Sequence, residues 1–168
     1  MMTFHEQFMT IALVQAQSAL DRGEFPVGCV ITDGQTVLAS GCRCGSRLPV
    51  PDETAHAEMN ALRALTAAGH PLDPRKLALY STLEPCLMCF GAILIHGIDT
   101  IVYACEDAMG GGTGCNLSVL PGLYSQKNIT LVPGVLRDRS VAMLKNFFTA
   151  PGNDYLRSTP LAAYILDQ

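Results

Sequence analysis

The amino-acid sequence predicts an α/β fold with helices on both faces of one sheet, and two features support that prediction. Short apolar segments alternate along the chain with longer segments of helical periodicity, as expected when strands and helices form separate layers. Hydrophobic residues make up 49% of the 168 residues and charged residues 15%, which suits a substantial core and argues against disorder. We find neither an internal repeat nor an interdomain linker, so we predict a single domain over residues 1–168.

The first elements are a helix, a hairpin and a second helix. Apolar side chains recur at three- and four-residue steps over residues 4–22, which predicts an amphipathic helix that Gly23 can end. Two strands, VGCVIT and TVLASG, follow around an Asp-Gly turn. After a loop, a helix is predicted from about 55 to 68, with Asp52 or Thr54 as its cap.

The remaining elements continue the alternation. A strand, KLALYST, precedes a helix that we expect to begin with Pro85 in its first turn. That helix, CLMCFGAILIHG, is apolar nearly all round and is therefore expected to be central. A strand (TIVYACE), a glycine-dense loop (DAMGGGTGCN), a last strand (NITLVPG) and a long helix (RDRSVAMLKNFF) follow. Residues 150–168 form a C-terminal extension.

The most informative residues are a histidine and two cysteines that each lie at a predicted helix start. His56 begins one helix, and Cys86 and Cys89 lie one turn apart at the start of another. Zinc binds thiolate and imidazole tetrahedrally, and three protein ligands leave a fourth position for water, as in catalytic sites. A helix N-terminus also stabilises thiolates. We therefore predict a catalytic zinc site formed by these three residues.

Glu58, two residues after His56, is expected to be the carboxylate beside the metal. Zinc lowers the pKa of a bound water from ~15.7 to roughly 7 in favourable sites, and a neighbouring carboxylate can carry the released proton. Other cysteines and histidines do not form a second paired motif of zinc-finger spacing, and we treat them as bystanders: Cys29, Cys42, Cys44, Cys105, Cys115, His5, His70 and His96.

The composite of TAHAE with LEPCLMC resembles the zinc-dependent cytidine and deoxycytidylate deaminase superfamily, whose H-x-E…P-C-x-x-C pattern it matches. The similarity covers most of the chain, and it is greatest to the branch of tRNA adenosine deaminases, guanine deaminases and fungal cytosine deaminases. It implies a three-layer α/β/α sandwich around a mixed five-stranded sheet. It also implies that Glu58 passes a proton to a ring nitrogen and then to the leaving amine, with loss of ammonia.

The resemblance assigns further residues to the pocket. Phe25 and Pro26 are expected in its wall, and the backbone N–H of Ala57 and the region of Glu84 near the substrate ring. Asp107 is either a ribose contact or a solvated loop acid. Relatives in this branch are usually homodimers, so a homodimer is expected as well.

Two departures from the family pattern bear on the substrate. Arg43 stands near the position where relatives in this branch often carry a base-contacting Asn, and it either turns to solvent or reaches a carbonyl-rich or anionic substrate. The tail over residues 150–168 has Arg157 as its only cation, whereas bacterial tRNA adenosine deaminases tend to end in a basic helix. The tail is expected to cover the pocket, a dimer partner or the core.

The net charge of −4 disfavours an RNA surface, because RNA binding requires Lys and Arg to neutralise phosphates. A small nucleobase, nucleoside or related heterocycle is therefore the favoured substrate, and a tRNA adenosine is the alternative. A catalytically silent zinc protein that binds a partner and a Cys86/Cys89 redox protein are the rivals from other classes. The GGGTG segment lacks the Lys of a phosphate-binding loop and is expected to border the pocket. A signal sequence and a membrane span are not predicted, so the cytoplasm is the expected location.

Overall fold

The computed structural model describes residues 2–69 and 73–168, so His70 lies outside the described part. Five strands form one mixed sheet in the order β2-β1-β3-β4-β5. The pairs β1/β2 and β1/β3 are antiparallel, whereas β3/β4 and β4/β5 are parallel. The strands are β1 (Gly28–Thr32), β2 (Val37–Cys42), β3 (Ala78–Leu83), β4 (Thr100–Cys105) and β5 (Thr130–Val132). The predicted five-stranded mixed sheet is confirmed.

Helices flank both faces of this sheet. They are α1 (Phe4–Asp21), α2 (Ala57–Ala68), α3 (Leu87–His96), α4 (Gly122–Ser125), α5 (Arg137–Thr149) and α6 (Pro160–Leu166). Side chains alternate along β1, so Val30 joins the core under α1, while Cys29 and Ile31 join the core under α2 and α3. Helix α5 packs beside α1 and against β4. Thus α2 and α3, which carry the predicted site residues, share one side of the sheet.

Two glycines let helices approach the sheet closely. A Cβ on Gly28 would lie 2.2 Å from the carbonyl oxygen of Ala12 in α1. A Cβ on Gly41 would lie 2.4 Å from the carbonyl oxygen of Ala57 in α2. Such contacts are impossible without backbone movement, so the absence of a side chain at Gly41 sets the distance between β2 and the first turn of α2.

The start of α2 and the start of α3 differ from the sequence prediction. Neither Asp52 nor Thr54 caps α2, because the Asp52 carboxylate accepts hydrogen bonds from the Thr54 backbone and hydroxyl within the preceding loop. The N-cap of α2 is His56. Pro85 lies before the first turn of α3, whose N-cap is Cys86.

Helix α3 is also less central than its composition predicts. Leu87 and Ile95 are 62% and 61% exposed, and burial is confined to Cys89, Phe90 and the pair Ile93–Leu94. Its apolar composition therefore exceeds what the core uses. The homodimer implied by the resemblance stays a prediction. Among the described residues, helices long and apolar enough to cross a membrane are absent.

The C-terminal extension folds back onto the domain. Leu161, Ala162 and Ile165 of α6 are buried in the main core, and α6 packs against α5. The Tyr164 hydroxyl donates to the Glu106 carboxylate, which also accepts from the Arg137 guanidinium. The extension therefore reaches the end of β4, the edge at which α3 begins.

Candidate active site

Two helix N-termini converge at the predicted metal site. His56 and Cys86 are the N-cap residues of α2 and α3, and neither side chain caps its own helix. Cys89 follows one turn into α3. The His56 Nδ1 atom lies 3.5 Å from the Sγ atom of Cys86 and 3.5 Å from that of Cys89. The strand-to-helix connections therefore place all three predicted ligands at one point.

These three side chains fit a zinc ion. Their ligand atoms all lie within 4.8 Å of one another. A tetrahedral zinc ion with sulfur at ~2.3 Å and nitrogen at ~2.0 Å holds those atoms roughly 3.5 Å apart, which is the separation observed here. One imidazole and two thiols are also ligands that zinc prefers. His56, Cys86 and Cys89 would thus hold the metal and leave a fourth position open.

The ionisation of the thiols supports the same interpretation. A hydrogen bond from Cys89 lowers the pKa of Cys86 to about 4. The same contact, together with burial, raises the pKa of Cys89. The hydrogen bond to Cys86 raises the pKa of His56. A divalent cation would replace the shared proton and leave both sulfurs as thiolates.

Glu58 lies beside these ligands in a buried position. It is 3% exposed, and burial raises the pKa of its carboxyl group. Its Oε1 accepts a hydrogen bond of 2.9 Å from the Ser81 hydroxyl on β3, and its Oε2 lies 3.6 Å from the Cys89 Sγ. One oxygen is thus held by Ser81, while the other faces the metal ligands.

A cavity of about 180 Å³ opens in front of His56 and Glu58. Its wall combines residues from the hairpin, the two helix starts, the loop after β4 and the C-terminal extension. The lining residues are Phe25, Val27, Arg43, Glu53, His56, Ala57, Glu58, Leu83, Glu84, Cys86, Asp107, Met109, Gly110, Tyr155, Leu156 and Leu161. Among the predicted pocket residues only Pro26 is not in this wall. Pro26 is buried, and its neighbours Phe25 and Val27 line the cavity.

Arg43 is buried in the cavity wall, at 2% exposure, so it does not turn to solvent. Its Nη1 donates to the carbonyl oxygens of Cys44 and Asp52, at 3.0 and 2.6 Å. Its Nη2 donates to Glu53 Oε2 and to the Tyr155 hydroxyl, both at 2.9 Å. Arg43 therefore joins the loop before α2 to the C-terminal extension.

Glu84 and the glycine-rich loop form the opposite wall. The Glu84 carboxylate accepts from the backbone N–H groups of Asp107 and Thr113 and from the Thr113 hydroxyl, so it fixes this loop. A Cβ on Gly112 would lie 2.6 Å from the Leu87 backbone. Glycine is needed at position 112 because the loop crosses the start of α3 there.

Asp107 is partly engaged within its own loop, where its Oδ1 accepts from the backbone N–H groups of Met109 and Gly110. The backbone N–H of Ala57, at the first position of α2, is among the donors that a helix leaves without an intrahelical acceptor. Contact of either group with a substrate stays a prediction.

Sequence and structure comparisons agree with this geometry. The family described as "Cytidine and deoxycytidylate deaminase zinc-binding region" matches residues 2–105. The chain belongs to the cytidine and deoxycytidylate deaminase family. It is 36% identical over 147 residues to a tRNA-specific adenosine deaminase of Agrobacterium fabrum, covering 84% of this chain and 91% of that protein. The present chain is thus a deaminase, that is, a hydrolase of C–N bonds. Its own His/Cys/Cys group is placed to bind zinc.

Other relatives differ in how much of their length is matched. The chloroplastic tRNA(adenine(34)) deaminase of Arabidopsis thaliana is 38% identical over 120 residues, but the chain spans only 9% of it. A solved structure from work on tRNA:A34 deaminases superposes with a TM-score of 0.69 at 33% identity, covering 82% of this chain and 99% of that one. A structure of NE0047 with 2,6-diaminopurine gives 0.71 at 25% identity, covering 90% and 85%.

Several residues of the deaminase site were not predicted from the sequence. Ser81 lies on the site-facing side of β3, between Leu79 and Leu83, and a polar residue in that apolar alternation was a usable signal. Tyr155, Leu156 and Glu53 carried no comparable signal, because their roles depend on contacts between distant parts of the chain.

Proposed function

We propose that this deaminase releases ammonia from the exocyclic amine of a small free heterocycle, such as a nucleobase or nucleoside. The observation that carries the proposal is a small cavity whose lining includes His56 and Glu58. Its volume of about 180 Å³ is below the ~300–1,000 Å³ of sites for drug-sized ligands. One planar ring system suits such a space.

The catalytic residues follow from the site geometry. His56, Cys86 and Cys89 would hold zinc, which supplies an activated water for hydrolysis when bound. Phe25 and Leu161 offer apolar surfaces to a ring and help to exclude bulk water. The Ala57 N–H, at the start of α2, is a candidate donor to the substrate.

Glu58 is the residue that moves protons. Because Ser81 engages Oε1, Oε2 is the oxygen that would accept a first proton from the attacking water and pass it to the ring nitrogen, where it stays. A second proton, from the hydroxyl that the attack leaves on the ring carbon, would then pass through Oε2 to the leaving amine. In the net reaction, water and the amino-substituted ring give a ring carbonyl and ammonia. The carbon–oxygen bond forms before the carbon–nitrogen bond breaks.

The charges around the cavity favour a small substrate over a polynucleotide. Four carboxylates line it, namely those of Glu53, Glu58, Glu84 and Asp107. Arg43 is the single Lys or Arg among the lining residues, and it is already paired with Glu53 at 2.9 Å. The lining residues therefore offer no further Lys or Arg to neutralise the phosphates of nucleotides that flank a target base.

A tRNA adenosine is the second candidate, and the relatives support it. Two proteins named as tRNA-specific adenosine deaminases are 36% and 31% identical to this chain over most of their own length. A flipped adenine also satisfies the requirement for a single ring in the cavity. The seven cysteines are all free thiols, which suits a reducing compartment such as the cytoplasm for either candidate.

Ammonia release separates the two candidates. The zinc-loaded chain is incubated with a panel of amino-substituted bases, with their ribonucleosides and with a tRNA anticodon stem-loop. Turnover of one or more bases or nucleosides is expected. Turnover of the stem-loop alone would refute the small-substrate proposal and establish the alternative. Glu58→Gln serves as the control for contaminating deaminases, because it keeps the fold and removes the proton carrier.

A further inference from the structure

The side chain of Tyr155 lies between two cavities. One is the catalytic cavity of about 180 Å³. The other, of about 390 Å³, lies on the outer side, and its lining includes Gly23, Arg47, Phe147, Asn153 and Tyr155 itself. Tyr155 is the one residue common to both linings. Shortening its side chain would therefore enlarge the catalytic cavity toward the outer one.

The rest of the wall between the cavities is a packed aromatic group. Phe25 contacts the ring of Phe147 at a centroid distance of 5.4 Å and that of Tyr155 at 6.0 Å. Phe25 and Phe147 belong to the hydrophobic core, at 5% and 3% exposure, whereas Tyr155 is half-buried. Tyr155 is therefore the part of this wall that can change without dismantling the core.

Charged neighbours hold the Tyr155 ring in place. Its hydroxyl accepts from Arg43 Nη2 at 2.9 Å and donates to Glu53 Oε2 at 2.8 Å. The Arg43 guanidinium carbon also lies 5.8 Å from the ring centroid, a cation–π distance. Arg43 and Glu53 are bonded to each other as well. Tyr155, Arg43 and Glu53 thus each bond the other two, and we term this group of three side chains the Tyr155 latch.

The backbone beside the latch is held in an unfavourable conformation. Leu156 has a φ of 56°, in the left-handed region that a residue with a side chain adopts only at an energetic cost. Leu156 lines the catalytic cavity, and the buried Leu161 follows five residues later. The contacts of Tyr155 and α6 therefore have to outweigh this cost, which implies that the position of the Tyr155 ring is specified by the fold.

We propose that Tyr155, held by Arg43 and Glu53, is a specificity-determining residue that limits the substrate to a free nucleobase or a heterocycle of similar size. This inference rests on the proposed function and narrows it. A single ring system fills a cavity of about 180 Å³, so an attached ribose needs further space, and Tyr155 is the lining residue that also borders the outer cavity. In this arrangement Arg43 holds the cavity wall in place, because its side-chain hydrogen bonds are all made to protein groups.

The test compares a nucleobase with its ribonucleoside. For the zinc-loaded wild-type chain, kcat/KM is expected to be higher for the base. Tyr155→Ala removes the phenol ring from the cavity wall, so the ratio of kcat/KM for the nucleoside to that for the base is expected to rise by about tenfold or more. Tyr155→Phe keeps the ring and is expected to shift the ratio less than Tyr155→Ala does.

Tyr164→Phe is the matched control, because Tyr164 belongs to the same extension, bonds Glu106 and does not line the catalytic cavity. It is expected to leave the ratio unchanged. An unchanged ratio in a folded, zinc-containing Tyr155→Ala chain overturns the inference, as does a wild-type preference for the nucleoside. Calorimetric binding of both compounds to zinc-loaded Glu58→Ala gives the same ratio without turnover.

The outcomes separate this inference from the proposed function. A wild-type chain that acts on bases while Tyr155→Ala keeps the same ratio refutes the size limit alone. A wild-type chain that turns over only the RNA, or that binds neither base nor nucleoside, refutes the proposed function and the inference with it.

Discussion

We expect removal of the Glu58 carboxylate to abolish turnover without loss of the metal. Glu58 does not belong to the three-ligand group, yet its carboxylate lies 3.6 Å from one of the ligand sulfurs. We expect Glu58→Gln to retain one zinc per chain and to lose at least ~100-fold in kcat, since general acid–base catalysis contributes about 10²–10⁴-fold. Metal analysis and ammonia release on the same preparation test this. Wild-type turnover in the variant would exclude Glu58 from proton transfer.

Ser81 is predicted to position Glu58 rather than to contact the substrate. Its hydroxyl is buried and donates to Oε1, and Ser81 is not among the cavity-lining residues. In Ser81→Ala a buried carboxyl oxygen loses its partner, which costs about 1–3 kcal/mol of stability or of correct orientation. We expect kcat to fall while KM stays near the wild-type value. A change confined to KM would place Ser81 in substrate binding.

The residues that the sequence predicted are those whose chemistry is local. His56, Glu58, Cys86 and Cys89 lie in two short motifs, so their spacing alone indicates a shared site. Arg43 and Tyr155 are 112 positions apart, and nothing within either segment reveals their contact. An exposed Arg43 side chain, one of the two alternatives that the sequence left open, is wrong, because the guanidinium is buried among its hydrogen-bond partners.

At the scale of elements, the distance between β2 and α2 is set by Gly41. A Cβ there would lie 2.4 and 2.5 Å from backbone atoms of Ala57 and Ala61. We expect Gly41→Ala to displace α2, to destabilise the fold by about 1–3 kcal/mol and to weaken zinc binding through His56. Chemical denaturation and zinc titration measure both effects.

Gly91 provides the control for that substitution. It lies within α3, and a Cβ there would meet nothing within 4 Å. Gly91→Ala is therefore expected to stabilise the chain by about 0.5–1 kcal/mol through helix propensity. If both variants behaved alike, the close approach at Gly41 would not control the position of α2.

The attachment of the C-terminal extension is expected to depend on pH through Glu106. Hydrogen bonds from Arg137 lower the pKa of Glu106 from 4.5 to about 2. Because the folded pKa is below the unfolded one, the stabilisation is complete above about pH 4.5 and is lost as the pH falls toward 2. The difference in free energy of unfolding between wild type and Glu106→Gln should therefore shrink between pH 6 and pH 3. A difference independent of pH would contradict the assignment.

The type and order of the helices and strands were predicted more accurately than their boundaries or the burial of their side chains. The order of strands and helices follows from hydrophobic periodicity, which each segment carries by itself. The exposure of Leu87 and Ile95 on α3 does not follow from periodicity, because an all-apolar helix gives no indication of which side is covered. The docking of α6 onto α5 likewise depends on packing between segments.

For the whole molecule, zinc is expected to stabilise the fold, because its ligands come from two separate helix starts. A ligand that binds only the native state at ~1,000 times its Kd stabilises it by about 4 kcal/mol. Removal of zinc by a chelator should thus lower the Tm of the wild type and leave that of His56→Ala unchanged. Equal melting of the zinc-loaded and zinc-free wild type would argue against a site formed across α2 and α3.

Ammonia release per bound zinc is the measurement that bears most closely on hydrolytic deamination at this site. Wild type and Glu58→Gln, matched in zinc content, are assayed side by side on the bases, the nucleosides and the tRNA anticodon stem-loop. Ammonia in proportion to zinc is expected for the wild type, with a loss of at least ~100-fold for the variant. A zinc-replete wild-type chain that releases no ammonia from any of these substrates would rule out hydrolytic deamination.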